Sequence, residues 1–182
     1  MNILPGSPQT PNGTLVVSVL LLSSLFVLSG CVAGIDGPSD QSGPVGLNVT
    51  NAANVTHTFE VFVVDLPANL TIKNVDKGTY TTDIGQAGLS TTKMNSYDNT
   101  VTEVKPPNTA RLHGQYTLKT SETNRSNVSS FRDDSAVVVV ISHNGTVASL
   151  VTSQCDGDLV YLRVTMRHYG SDSAYDCDEG AF

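Results

Sequence analysis

The sequence predicts an all-β chain folded as an antiparallel β-sandwich. Apolar residues recur with period two: Phe59, Val61 and Val63 point one way, Thr58, Glu60, Phe62 and Val64 the other. Asn144-Gly145 stands between two β-branched runs, the strongest short-range hairpin signal, because a type I′ turn needs positive φ at both positions. No segment carries a helical stripe, and only Thr109 to Thr120 is ambiguous.

Val45 to Thr50 and Thr56 to Val64 are the first two predicted strands. Leu66 to Asn74 is the third, with Leu70 and Ile72 alternating, and Thr79 to Ile84 the fourth. Asn99 to Lys105 alternates Val101 and Glu103 with Thr102 and Val104, and Pro106-Pro107 stops it. Ala136 to Ile141 and Thr146 to Thr152 flank the Asn-Gly turn. Val137 to Val140 is apolar on both faces and belongs at the centre of a sheet. Leu159 to His168 turns Leu162, Val164 and Met166 to one face and Tyr161, Arg163, Thr165 and Arg167 to the other. Connection lengths make all of these, about seven or eight strands, antiparallel. Gly170 to Phe182 reads as a polar tail.

Ahead of the sandwich, Leu15 to Leu28 is apolar except for Ser18, Ser23 and Ser24, and closes on Leu28-Ser29-Gly30-Cys31. The small Ser29 and Gly30 give a peptidase access to the bond before Cys31, whose thiol can carry a diacylglyceryl thioether. This stretch resembles the lipobox of prokaryotic lipoproteins. The resemblance implies a signal peptide over residues 1–30, a lipidated Cys31, and a chain anchored on the extracellular face of the cell membrane. A permanent spanning helix would need about 20 apolar residues, and Gly34, Asp36 and Pro38 end the pattern early. Residues 31–44 read as a flexible Gly-, Ser- and Pro-rich tether, and residues 45–182 as one domain.

The formal charge of −7 lies entirely beyond Cys31. An acidic surface argues against nucleic acid or anionic membrane as partner. Few lysines, many aspartates and abundant Ser, Thr, Asn and Gly resemble secreted proteins of salt-loving archaea, whose small lipoproteins this chain is similar to. With Cys31 lipidated, Cys155 and Cys177 remain as an even pair, expected to form a disulfide in an oxidising compartment. Sequons begin at Asn48, Asn54, Asn69, Asn124, Asn127 and Asn144. Asn124, Asn127 and Asn144 are the glycosylation candidates, read as loop sites.

The stretch GLNVTNAANVTHTFEVFVV, ending at Val64, resembles the opening hairpin of immunoglobulin-like and cupredoxin-like domains, which implies a fold. A blue-copper centre would need two His, a Cys and usually a Met converging, and that C-terminal cluster is missing. His57, His113, His143 and His168 are scattered, and solvent exposure is expected for His57 and His143. No nucleophile elbow, phosphate loop or His-Glu-x-x-His occurs. A Cys155–Cys177 bridge would draw Asp156, Asp158, Asp176, Asp178 and Glu179 to one end, where calcium is a conceivable ligand and a solvated acidic surface the plainer reading. Arg163 and Arg167 suggest an anion or carbohydrate patch, or cross-strand ion pairs. The expectation is a non-enzymatic surface protein, structural, adhesive or accessory, with an envelope protein as partner and no cofactor. The alternative is a small-ligand or metal-binding module without a blue-copper site.

Overall fold

The computed structural model describes residues 43–84, 88–96, 99–129 and 131–178. The expected signal segment, Cys31, most of the tether and Glu179 lie outside the described residues. The described strands, in chain order, are β1 (Val45–Asn51), β2 (His57–Asp65), β3 (Asn69–Asn74), β4 (Gly78–Asp83), β5 (Gly88–Lys93), β6 (Asn95–Ser96) and β7 (Asn99–Lys105). They continue as β8 (Arg111–Leu118), β9 (Thr123–Val128), β10 (Ser135–His143), β11 (Thr146–Gln154), β12 (Asp158–Arg167) and β13 (Gly170–Asp178). No helix occurs among the described residues.

The strands form three sheets. Sheet A has the order β13-β12-β1-β9, sheet B β5-β11-β10-β2-β8, and sheet C β4-β3-β7-β6. Sheet B is the middle layer. Phe59, Val61, Val63, Val137, Val139 and Ile141 pack from it against Val45, Leu47, Val49, Leu162 and Val164 of sheet A. From its other face Val64, Ala136, Val138, Val140 and Leu150 pack against Leu70, Ile72, Val101 and Val104 of sheet C. This explains the unbroken Val137–Val140 run: each valine enters one of two cores, and complete burial of such a side chain stabilises by about 1.5–3 kcal/mol.

The all-β, sandwiched architecture agrees with the sequence, and three details correct or complete it. β1 pairs with β12 in parallel, Gly46 opposite Tyr161 through Asn51 opposite Met166. Connection length had suggested antiparallel pairing throughout, but it constrains only strands near in sequence, and these two lie at opposite ends of the domain. The ambiguous Thr109–Thr120 segment holds β8. The supposed polar tail is β13, paired along its length with β12.

The Asn-Gly hairpin forms as expected. His143 pairs with Thr146, leaving Asn144 and Gly145 as a two-residue turn with φ of 48° and 75°. Side chains close the open edges of the sandwich. Tyr116 Oη lies 3.2 Å from Ser126 Oγ, joining β8 to β9. At the opposite edge Ser149 Oγ lies 2.5 Å from Ser171 Oγ, and Thr91 bonds Ser173.

Candidate functional site

Cys155 and Cys177 are disulfide-bonded with Cα atoms 5.9 Å apart, tying the end of β11 to β13. Beside the bridge, Asp158 of β12 stands opposite Asp178 of β13. Asp133, from the turn before β10, hydrogen-bonds to Asp158. Burial, this bond and the charges of Asp133 and Asp178 together hold the Asp158 carboxyl above the usual aspartate value. Asp156 stays exposed in the preceding turn, and Asp176 lies opposite Tyr161. The acidic residues expected near the disulfide are thus only partly brought together, and Asp133 joins them from a distant segment. Among the described residues no three His, Cys, Asp or Glu side chains converge as metal ligands.

His57 corrects the expectation of an exposed residue, because it is only 4% exposed. It opens β2 on the inward side of the strand, above the fully buried Asn51. Asn51 Nδ2 donates to the carbonyls of Val55 and Leu118, each at 2.8 Å. Its Oδ1 accepts from the Ala53 amide at 3.2 Å. His57 Nδ1 lies 3.2 Å from that same Oδ1 and 3.1 Å from the Val55 carbonyl. Both partners are acceptors, so Nδ1 carries the proton. Burial lowers the His57 pKa below 6.5, the Val55 bond opposes this, and the nearby His143 adds to it. The two rings are 5.3 Å apart, and His143 Nδ1 is 2.7 Å from the Thr56 carbonyl. Histidines far apart in sequence therefore meet here, which only the β2–β10 pairing reveals. Their job is to fasten the turn between β1 and β2.

Two concave features stand apart from these. A cleft of about 270 Å³ lies between sheets B and C, floored by Leu70, Ile72, Met94 and Leu150 and rimmed by Asp83 and Lys93. The other, about 260 Å³, is polar and lies on sheet A between Arg163, Thr165, Arg167, Asp172 and Ser173. Arg167 pairs with Asp172. The sequence had suggested both the ion pair and the patch. It gave no sign of Arg125, which the register brings to the same sheet face as Arg163.

Of the sequon asparagines, Asn144 sits exposed in the hairpin turn. Asn124 and Asn127 are on β9, a strand and not the loop expected for them. Asn127 is exposed, whereas Asn124 is half-buried with its carboxamide oxygen enclosed and unbonded. Asn54 and Asn69 are also exposed. No protein-family model matches this chain, and neither a curated protein nor a solved structure matches it.

Proposed function

We propose that this chain is a lipid-anchored surface protein that acts by binding, as an adhesive or accessory subunit, and not by catalysis. The cysteine pairing carries this reading. The chain has three cysteines, and the bridge uses Cys155 and Cys177. That leaves Cys31, at the lipobox-like Leu28-Ser29-Gly30, as the one cysteine outside the bridge. A structural disulfide fits export to an oxidising compartment, where Cys31 would be lipidated. The sheets support a binding role by offering broad faces, four or five strands wide.

Cross-linking on intact cells carrying a tagged chain, followed by mass spectrometry, tests the proposal. A reproducible envelope partner, lost with Cys31→Ser, supports an anchored accessory or adhesive role. Release of the unmutated chain in unlipidated form overturns the anchor, and capture of nothing overturns the protein partner. The cleft between sheets B and C favours a second reading, a small-ligand module, because an apolar floor with a few polar rim groups is how such sites are built. A thermal shift produced by a small-molecule panel and abolished by Leu150→Phe would support it.

A further inference from the structure

On the outer face of sheet A, strands β9 and β12 set arginines on either side of β1, against the trend of the chain. Val45, Leu47, Val49, Leu162, Val164 and Met166 turn inward, so the residues between them face outward. Register sets those residues in rows across β9, β1 and β12. Asn48 stands opposite both Arg125 and Arg163. The next row is Thr123, Thr50 and Thr165, with the Thr50 and Thr123 hydroxyls 3.0 Å apart. On the other side Gly46 stands between Asn127 and Tyr161. The Tyr161 ring leans over Gly46, with Cδ2 3.0 Å from where a Cβ would sit. A side chain at this position would make the ring give way by a few tenths of an ångström.

Both arginines of the row are exposed, and Arg167 lies further along β12. β9 and β1 carry no Asp or Glu, and β12 carries only Asp158 at its first position. Strand spacing puts the Arg125 and Arg163 backbones about 10 Å apart, and Arg163 and Arg167 about 13 Å apart. Asp172 and Asp176 of β13 share this outer face, opposite Thr165 and Tyr161, and Asp172 pairs with Arg167, so the positive side of the face is the one around Arg125 and Arg163.

We propose that the β9–β1–β12 side of the outer face of sheet A binds an acidic polysaccharide, a chain bearing carboxylate or sulfate groups. The proposal deepens the binding role above and rests on it only for the kind of material the chain meets. A sheet face several strands wide suits an extended polymer better than a small molecule. Arginine forks take carboxylate and sulfate oxygens two at a time. The Asn48 carboxamide and the threonine hydroxyls suit sugar hydroxyls, and the Tyr161 ring offers a surface for a sugar face. The rest of a chain of charge −7 repels a polyanion, which directs it to this face.

The test uses the full chain in detergent micelles, produced without glycans because Asn48 and Asn127 on this face begin sequons. Binding to polygalacturonate, dextran sulfate and neutral dextran is measured at 0.15 M NaCl. The expected result is binding to one or both polyanions, not to dextran. Arg125→Gln combined with Arg163→Gln should weaken it at least tenfold with an unchanged melting temperature. Lys73→Gln with Lys77→Gln, in and just after β3 on sheet C, should leave it unchanged. Preference between the polymers tells carboxylate from sulfate. Equal loss from the lysine pair, no binding to either polyanion, or binding to anionic phospholipid vesicles in their place would each overturn the proposal. A protein partner captured on cells alongside any of these outcomes would leave the anchored accessory role standing.

Discussion

At the scale of single residues, the buried His57 and the half-buried Asp158 move stability with pH in opposite directions. His57 has a folded pKa below its ordinary 6.5, so the unfolded chain binds its proton more readily. Its contribution is present above pH 6.5 and is lost as pH falls through the folded value. His113, also lowered by burial, acts in the same direction. The urea midpoint should therefore fall between pH 7 and pH 5, and His57→Gln should make that fall shallower. A midpoint flat over this range would contradict the burial of His57. Asp158 runs the other way. Its folded pKa is raised above 3.8, so its contribution is full at low pH and is lost as pH climbs through that value. Asp158→Asn should raise the melting temperature at pH 7 and leave it unchanged at pH 3. Molar salt should shrink the gain by screening Asp133 and Asp178. Asn51 titrates nothing yet costs more to remove. Asn51→Ala strips partners from the Val55 and Leu118 carbonyls and the Ala53 amide, a loss of about 3 kcal/mol in a chemical denaturation curve.

At the scale of elements, β13 is an edge strand held more by its neighbours than by its own apolar residues. Its inward side carries Ser171 and Ser173, which bond Ser149 and Thr91, and then Tyr175 and Cys177. The Cys155–Cys177 bridge closes a loop of 22 residues in sequence separation. The entropic part of its stabilisation is about 3 kcal/mol. Cys155→Ser with Cys177→Ser should lower stability by about that amount and open the β13 amides to hydrogen exchange before those of β10. Exchange rising equally in both strands would mean that the bridge supports the whole domain and not the edge. The same polarity explains what the sequence left unread. β10 and the face pattern of β12 were legible because valines and leucines alternate or run unbroken there. β13 and β9 were not, since Ser, Asp, Asn and Arg occupy both faces and their contact with the facing layer comes largely from hydroxyls. The row Arg125–Asn48–Arg163 was out of reach for a related reason, being a product of register between strands distant in sequence. Exposure also bears on glycans. Asn54, Asn69, Asn127 and Asn144 should be occupied in glycopeptide mass spectra of chain exported by a glycosylating host, and the enclosed Asn124 should not. A glycan on Asn124 would require β9 to detach.

At the scale of the whole molecule, sheet B binds two cores into one unit. β10 contributes Val139 to the core under sheet A and Val138 to the core under sheet C. Val138→Ala and Val139→Ala should each cost about 2 kcal/mol, since either change empties space in a fully buried layer. Neither core can lose its half of β10 without exposing the other, so sheets A and C should unfold together. The chain has no tryptophan, which makes an introduced one a clean reporter. Tyr116→Trp reads the core under sheet A, and Phe62→Trp reads the core under sheet C. Both positions are partly buried against the core they report on. Urea midpoints that coincide in the two variants, after correction for any change in stability, mark one cooperative unit. Midpoints that separate would mean that sheet C docks on a sandwich already complete without it. The alternation along β10 points to the first outcome: Val137 and Val139 fill one core and Val138 and Val140 the other, so the strand that holds one core holds both.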